Sequence, residues 1–133
     1  MNDGKIRNPK RIRQVLAFQG LMGIFPRCIT PTDVDFCVEI DGHFLIGEFK
    51  RQGASVPVGQ RMALERLIKR LGAGSVAFVA QHTTDSHEFI AAEECRAVEW
   101  IAGEFPQWQP CNCSVEAVCR QWFDELRNYT QKK

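Results

Sequence analysis

Residues 33–50, reading DVDFCVEIDGHFLIGEFK, constrain the fold more than any other part of the chain. Two segments of alternating polarity, 33–40 and 43–50, flank the dipeptide Asp41-Gly42. A two-residue type I′ turn needs positive φ at both central positions, and Asp-Gly accepts this at little cost. With such a turn Ile40 faces His43, and the positions of every facing pair add to 83. Asp35 then stands opposite Glu48, and Asp33 opposite Lys50. Side chains alternate along a strand, so these four share one face. Val34, Phe36, Val38, Ile40, Leu45, Gly47 and Phe49 share the other, which is expected to join the core. A slip of one residue would carry that apolar set into water, so the pattern also fixes the register.

The polar face poses an electrostatic problem. Directly opposed side chains have Cβ atoms roughly 4.5–5.5 Å apart, and two carboxylates at that separation repel. Lys50 is one source of compensating charge. Carboxylates converging from two strands are also the oxygen ligands that a hard cation such as Mg²⁺ takes. A lysine beside them has a chemical use: it can orient or help deprotonate a water that attacks a phosphodiester, or stabilise the charge that develops.

The neighbouring segments are read from periodicity and breakers. Asn8-Pro9 reads as a helix start, with Ile12, Val15, Leu16 and Gln19 on one side and Lys10, Arg11 and Arg13 towards solvent. After Gly53, Pro57 and Gly59, residues Gln60–Leu71 place Leu64, Leu67, Ile68 and Leu71 at helical spacing. Gly72 and Gly74 end that helix. Ser75–Ala80 reads as a short buried strand. Residues 85–102 contain at least one further strand or helix, whose type the pattern leaves open. Val115, Val118, Cys119, Trp122, Leu126 and Tyr129 form the apolar stripe of a last helix.

The stretch PTDVDFCVEIDGHFLIGEFK resembles the active-site hairpin of the PD-(D/E)XK nuclease superfamily, in which an aspartate precedes an acidic-x-Lys triplet on the next strand. Asp35 matches the aspartate, and Glu48-Phe49-Lys50 matches the triplet. The resemblance implies an α/β domain with a restriction-endonuclease-like core: a mixed, mostly antiparallel central sheet flanked by helices. It implies Mg²⁺ or Mn²⁺ held by Asp35, Glu48 and the backbone carbonyl of Phe49, with Asp33 an alternative or auxiliary acid. Lys50 would assist the water nucleophile. Gln60 matches a glutamine that many members place near the site; as a first-turn residue it is equally suited to bonding free backbone amides. One departure concerns the first helix. Many members carry a glutamate there, and residues 8–22 contain no acidic residue.

The activity implied is metal-dependent hydrolysis of phosphodiester bonds, with DNA the expected substrate. Charge agrees with this only when the chain is divided. Residues 1–74 carry twelve Lys/Arg against seven Asp/Glu, whereas residues 75–133 carry five against nine. An anionic polymer would meet the first part. Phosphate contacts are expected from Lys10, Arg11, Arg13, Arg51 and Arg61.

A chain of 133 residues is expected to form one domain spanning 1–133, with a homodimer or larger assembly supplying further binding surface. It has no apolar run of spanning length and no secretory-type leader, so a cytoplasmic location is expected, with its six cysteines reduced. Two rival readings stand beside the nuclease. One is a non-catalytic module that keeps the fold and uses the hairpin face to bind a protein or nucleic acid. The other is a cysteine-ligated metal or iron–sulfur site at Cys111, Cys113 and Cys119 with Cys28 or Cys95, although C-x-C departs from the usual spacing. His82, Asp85 and His87 are metal-type ligands in what reads as a polar loop.

Overall fold

Asp41 and Gly42 have φ of 51° and 84° in the structure, a computed structural model that describes residues 17–21, 23–29, 31–83 and 89–131. Both central positions are therefore left-handed, as a type I′ turn requires. The turn joins β1 (Phe36–Ile40) to β2 (His43–Arg51), antiparallel in the expected register from Ile40↔His43 to Phe36↔Gly47.

β2 leads through α1 (Val58–Leu71) to β3 (Val76–His82), which lies parallel to β2. β3 pairs antiparallel with β4 (Arg96–Ala102), and β4 antiparallel with β5 (Phe105–Ser114), which runs directly into α2 (Val115–Gln131). The strand order is β1-β2-β3-β4-β5, a mixed sheet in which only the β2/β3 pairing is parallel. An α/β architecture with a mixed, mostly antiparallel sheet and helices against it is thus observed.

β5 had no counterpart in the sequence reading. Its segment FPQWQPCNCS holds two prolines, which remove ladder donors and argue against a central strand. The strand forms at the sheet edge, where such losses are tolerated, and its register with β4 shifts between Ala97 and Glu99.

Both faces of the sheet are covered. Leu45, Phe78, Ala80, Cys95, Val115, Trp122 and Leu126 form one core cluster, against which Phe36, Val38, Ile40 and Phe49 pack. This is the expected apolar face of the hairpin, and α2 closes it. On the opposite face Ile46, Leu64, Ile68, Ala77 and Ile101 form a second cluster beneath α1. The face that bears Glu48 is consequently not an open surface. Within α1, Leu64 and Ile68 are buried, but Leu67, expected to face the sheet, is 40% exposed.

Gly47 is needed where it stands. Phe36, Phe49 and Phe78 pack edge to face around it, with ring centroids 5.5–6.2 Å apart. A Cβ at Gly47 would run into the ring of Phe78, which is fully buried. Gly47→Ala is therefore expected to destabilise the fold by about 1–3 kcal/mol through overpacking, read as a lowered urea midpoint at constant m-value.

By its contacts the chain divides into two units, Met1–Asp33 and Val34–Lys133. The five strands and two α-helices of the described residues belong to the second. In the first, the described residues form short 3-10 turns at Gln19–Leu21 and Pro26–Cys28. The helix expected from Asn8 falls largely outside the described residues, as do Lys10, Arg11 and Arg13. No helix among the described residues is long and apolar enough to cross a membrane.

Candidate active site

The ladder of β1 stops at Phe36↔Gly47, so Asp35 and Glu48 do not pair as strand residues. Val34, expected on the core face, is 51% exposed, and without its burial nothing apolar holds the chain in register beyond Phe36. Asp35 still reaches the second strand, by its side chain: its Oδ2 accepts the backbone N–H of Phe49 at 2.9 Å. This places the carboxylate against the Glu48–Phe49–Lys50 segment. The expected pairing of Asp33 with Lys50 does not form within this ladder, and Asp33 is an exposed residue at the end of the first unit.

Glu48 is 5% exposed. Its Oε1 lies 3.1 Å from Nζ of Lys50, whose side chain keeps 25% of its accessible surface. The amide of Gln60, in the first turn of α1, lies near enough to the same carboxylate to help lower its pKa. Burial pushes the Glu48 carboxyl above its ordinary range; the hydrogen-bonded ammonium of Lys50 opposes this, and the nearby charge of Asp35 adds to it. Asp35, Glu48, Lys50 and Gln60 are therefore brought together from the loop end before β1, strand β2 and the first turn of α1.

That arrangement has a consequence for stability. The folded chain holds the Glu48 proton to higher pH than the unfolded chain, so stability falls as pH rises from the ordinary carboxylate range through the raised value. Glu48→Gln keeps the shape without the charge. It is expected to melt higher than the parent at pH 7, by about 3–6 °C for an effect on the order of 1 kcal/mol, with the gap narrowing at pH 4. Equal melting temperatures at pH 7 would contradict a net cost of the buried charge.

Helix α1 is locked over this site by a second polar group. Arg61 donates two hydrogen bonds to Glu99, at 2.7 and 2.9 Å, and its guanidinium lies 4.5 Å from the centroid of Trp108. Trp108 Nε1–H donates to Glu65 at 2.6 Å. The guanidinium holds Glu99 below the usual carboxylate range. Arg61, read from the sequence as a phosphate contact, thus has its charge matched inside the domain and acts to fix α1. Trp108 joins the same clamp. Arg51 is exposed at the end of β2 and, one residue beyond Lys50, belongs to the other face of the strand.

Among the described residues the cysteines do not build a metal centre: no group of three or more His, Cys, Asp or Glu side chains there is placed to hold a metal ion. Cys111 and Cys113 neighbour each other on β5, where burial and the second thiol push Cys111 up to about 11. Asp85 and His87 lie outside the described residues.

Two polar residues that the sequence did not single out lie in register with Lys50. In the ladders Lys50 is beside Gln81, and Gln81 beside Arg96. Partners in register project from the same face, so Lys50, Gln81 and Arg96 form a line across three strands. The signal was faint because Gln81 lies past the apolar run of β3, and β4 could not be typed.

Compared with family models, curated proteins and solved structures, the chain matches none.

Proposed function

We propose that the protein is a metal-dependent nuclease that hydrolyses phosphodiester bonds of DNA. The observation that carries this reading is the convergence of Asp35 and the buried Glu48 with Lys50 and Gln60 on one strand end. A carboxylate held at 5% exposure, with a second carboxylate close by, is a costly arrangement that the Lys50 ammonium only partly offsets, since the Glu48 carboxyl stays above its ordinary range. Oxygen donors from Asp35, Glu48 and the Phe49 carbonyl are of the type that Mg²⁺ or Mn²⁺ takes, with solvent completing the shell. A bound cation would polarise the phosphoryl group and lower the pKa of a coordinated water.

The chain's own residues have the remaining tasks. Glu48 and Asp35 hold the negative charge that recruits the cation. Asp35, fixed by the Phe49 N–H, needs little reorganisation. Lys50 orients the attacking water and offsets charge on the phosphoryl oxygens as it develops. Gln60 keeps the Glu48 carboxylate in place. The hairpin, gripped on both faces, supplies the rigidity such a site needs.

The test is direct. Purified protein is incubated with supercoiled, linear, branched and single-stranded DNA, and with RNA, in the presence of Mg²⁺, Mn²⁺ or EDTA. Cleavage of DNA that requires the metal is expected. Binding without metal-dependent cleavage of any substrate would replace the enzyme by a binding module of the same fold.

A further inference from the structure

Helix α1 turns an uninterrupted basic stripe to solvent. Leu64 and Ile68 are its buried residues, so at about 100° per residue the opposite side carries Gly59, Met62, Arg66, Lys69 and Arg70. All five are exposed. The helix reads VGQRMALERLIKRL, and its single acidic residue, Glu65, lies on the flank, where it accepts the indole N–H of Trp108. The outward stripe therefore holds three cations and no acid from one end to the other.

Such a stripe repels itself. Arg66 stands three residues before Lys69 and four before Arg70, the spacings at which side chains on a helix are neighbours and like charges destabilise it. Helix α2 handles its cations differently: Arg120 is held by Glu116 and Arg127 by Asp124, each within the helix. Arg66, Lys69 and Arg70 make no ion pair among the described residues. Lys69 and Arg70, in the last turn, gain from the helix dipole, but Arg66 lies before that turn, and the dipole does nothing for the repulsion among the three. A polyanion laid along the stripe relieves it. The stripe also starts at the candidate site, since Gln60 of the first turn lies near Glu48. With a rise of about 1.5 Å per residue, Arg66 and Arg70 lie about 9 and 15 Å further along the axis than Gln60. A DNA strand advances about 3.4 Å per nucleotide, so this interval corresponds to roughly three to four nucleotides. Arg61, the phosphate contact expected on this helix, is instead on the flank and bound to Glu99.

Resting on the nuclease reading, we infer that the outer face of α1 is a phosphate-binding surface for duplex DNA, on which Arg66, Lys69 and Arg70 hold the backbone roughly three to four nucleotides from the phosphodiester at Asp35, Glu48 and Lys50. Guanidinium forks take phosphate oxygens in pairs, and the ammonium acts as a point charge. Contacts of this kind fix where the duplex lies and carry no sequence information. The stripe has no aromatic ring on which unpaired bases would stack, which favours the duplex over a single strand.

Binding is measured by fluorescence anisotropy in EDTA, which separates it from cleavage, with a fluorescein-labelled duplex of about 20 base pairs over a range of KCl concentrations. Each phosphate contact contributes about 0.9 to the slope of log affinity against log salt. A triple variant, Arg66→Gln with Lys69→Gln and Arg70→Gln, is expected to flatten the slope by about 2–3 and to weaken binding in 0.1 M KCl at least about tenfold. Arg66→Gln alone, outside the last turn, is expected to flatten it by about 0.9. Arg120→Gln with Arg127→Gln, which removes two cations from α2, should leave the slope unchanged, and two duplexes of unrelated sequence should bind alike. Circular dichroism and thermal melting confirm that each variant is folded. With Mg²⁺ present the triple variant should raise KM and keep kcat, because the stripe does not touch the reacting phosphodiester. An unchanged slope in both α1 variants, an equal loss per charge in the α2 variant, or tighter binding of a single strand than of the duplex overturns the inference. So does a triple variant that melts lower yet binds DNA as the parent does, since the cations would then serve the helix end alone. A slope that falls as expected in a protein without metal-dependent cleavage defeats the nuclease reading and leaves the surface standing. Metal-dependent cleavage whose KM ignores the triple variant does the reverse.

Discussion

Lys50→Ala is expected to lower metal-dependent DNA cleavage by about 10²–10³-fold while leaving KM nearly unchanged, the pattern of an interaction made in the transition state alone. The ammonium sits 3.1 Å from Glu48 on the strand end where the two carboxylates converge. It has no comparable grip on the remainder of a long DNA substrate, so ground-state binding should survive. A second readout separates chemistry from structure. Of the groups that hold the Glu48 carboxyl down, Lys50 is the strongest, and without it burial and Asp35 act unopposed except by Gln60. The acid limb of the rate profile should therefore move to higher pH in Lys50→Ala, if Glu48 must be ionised to work. Cleavage by the variant at the parent rate, with the same acid limb, would remove Lys50 from the machinery. Gross unfolding is not expected, because the side chain is partly in solvent and Glu48 can respond by taking up a proton.

Trp122→Ala is expected to cost about 3–5 kcal/mol, a large share of the roughly 5–15 kcal/mol that holds a domain together. Trp122 is 6% exposed and belongs to the cluster of Leu45, Phe78, Val115 and Leu126 that joins α2 to the sheet. Its Nε1–H also donates to the Gly74 carbonyl at 2.8 Å, tying α2 to the turn after α1. Trp122→Phe keeps most of the apolar contact and loses that bond, so a smaller loss of about 1–2 kcal/mol is expected. Urea unfolding measures both. Activity should decline with the folded fraction only, since α2 lies across the sheet from Glu48 and supports the site strands from below. A folded Trp122→Ala with normal stability would mean that α2 is not integral to the core.

The hairpin was legible because its information is local. Asp41-Gly42 selects the turn, the turn sets the register, and alternation assigns Phe36, Val38, Ile40 and Leu45 to one face. α1 and α2 were legible for a similar reason, through apolar residues at helical spacing. Where partners distant in sequence decide, the reading ran short. β5 forms despite Pro106 and Pro110 because β4 offers it an edge. Arg61 looked free until Glu99 was brought to it across 38 residues.

The sequence by itself thus determined which residues belong together on the hairpin: Asp35 with Glu48 and Lys50, on the face away from Phe36 and Val38. Tertiary structure decided how they meet. The ladder ends before Asp35, so its carboxylate is fixed by the Phe49 N–H instead of by strand pairing. Packing of α1 over the second face buries Glu48, which turns an ordinary surface carboxylate into one with a raised pKa. Lateral pairing of β2, β3 and β4 lines up Lys50, Gln81 and Arg96. Turn chemistry and side-chain alternation act between neighbours in the chain and can be read there, whereas burial, cross-sheet register and ion pairing depend on partners that only the folded chain brings into contact.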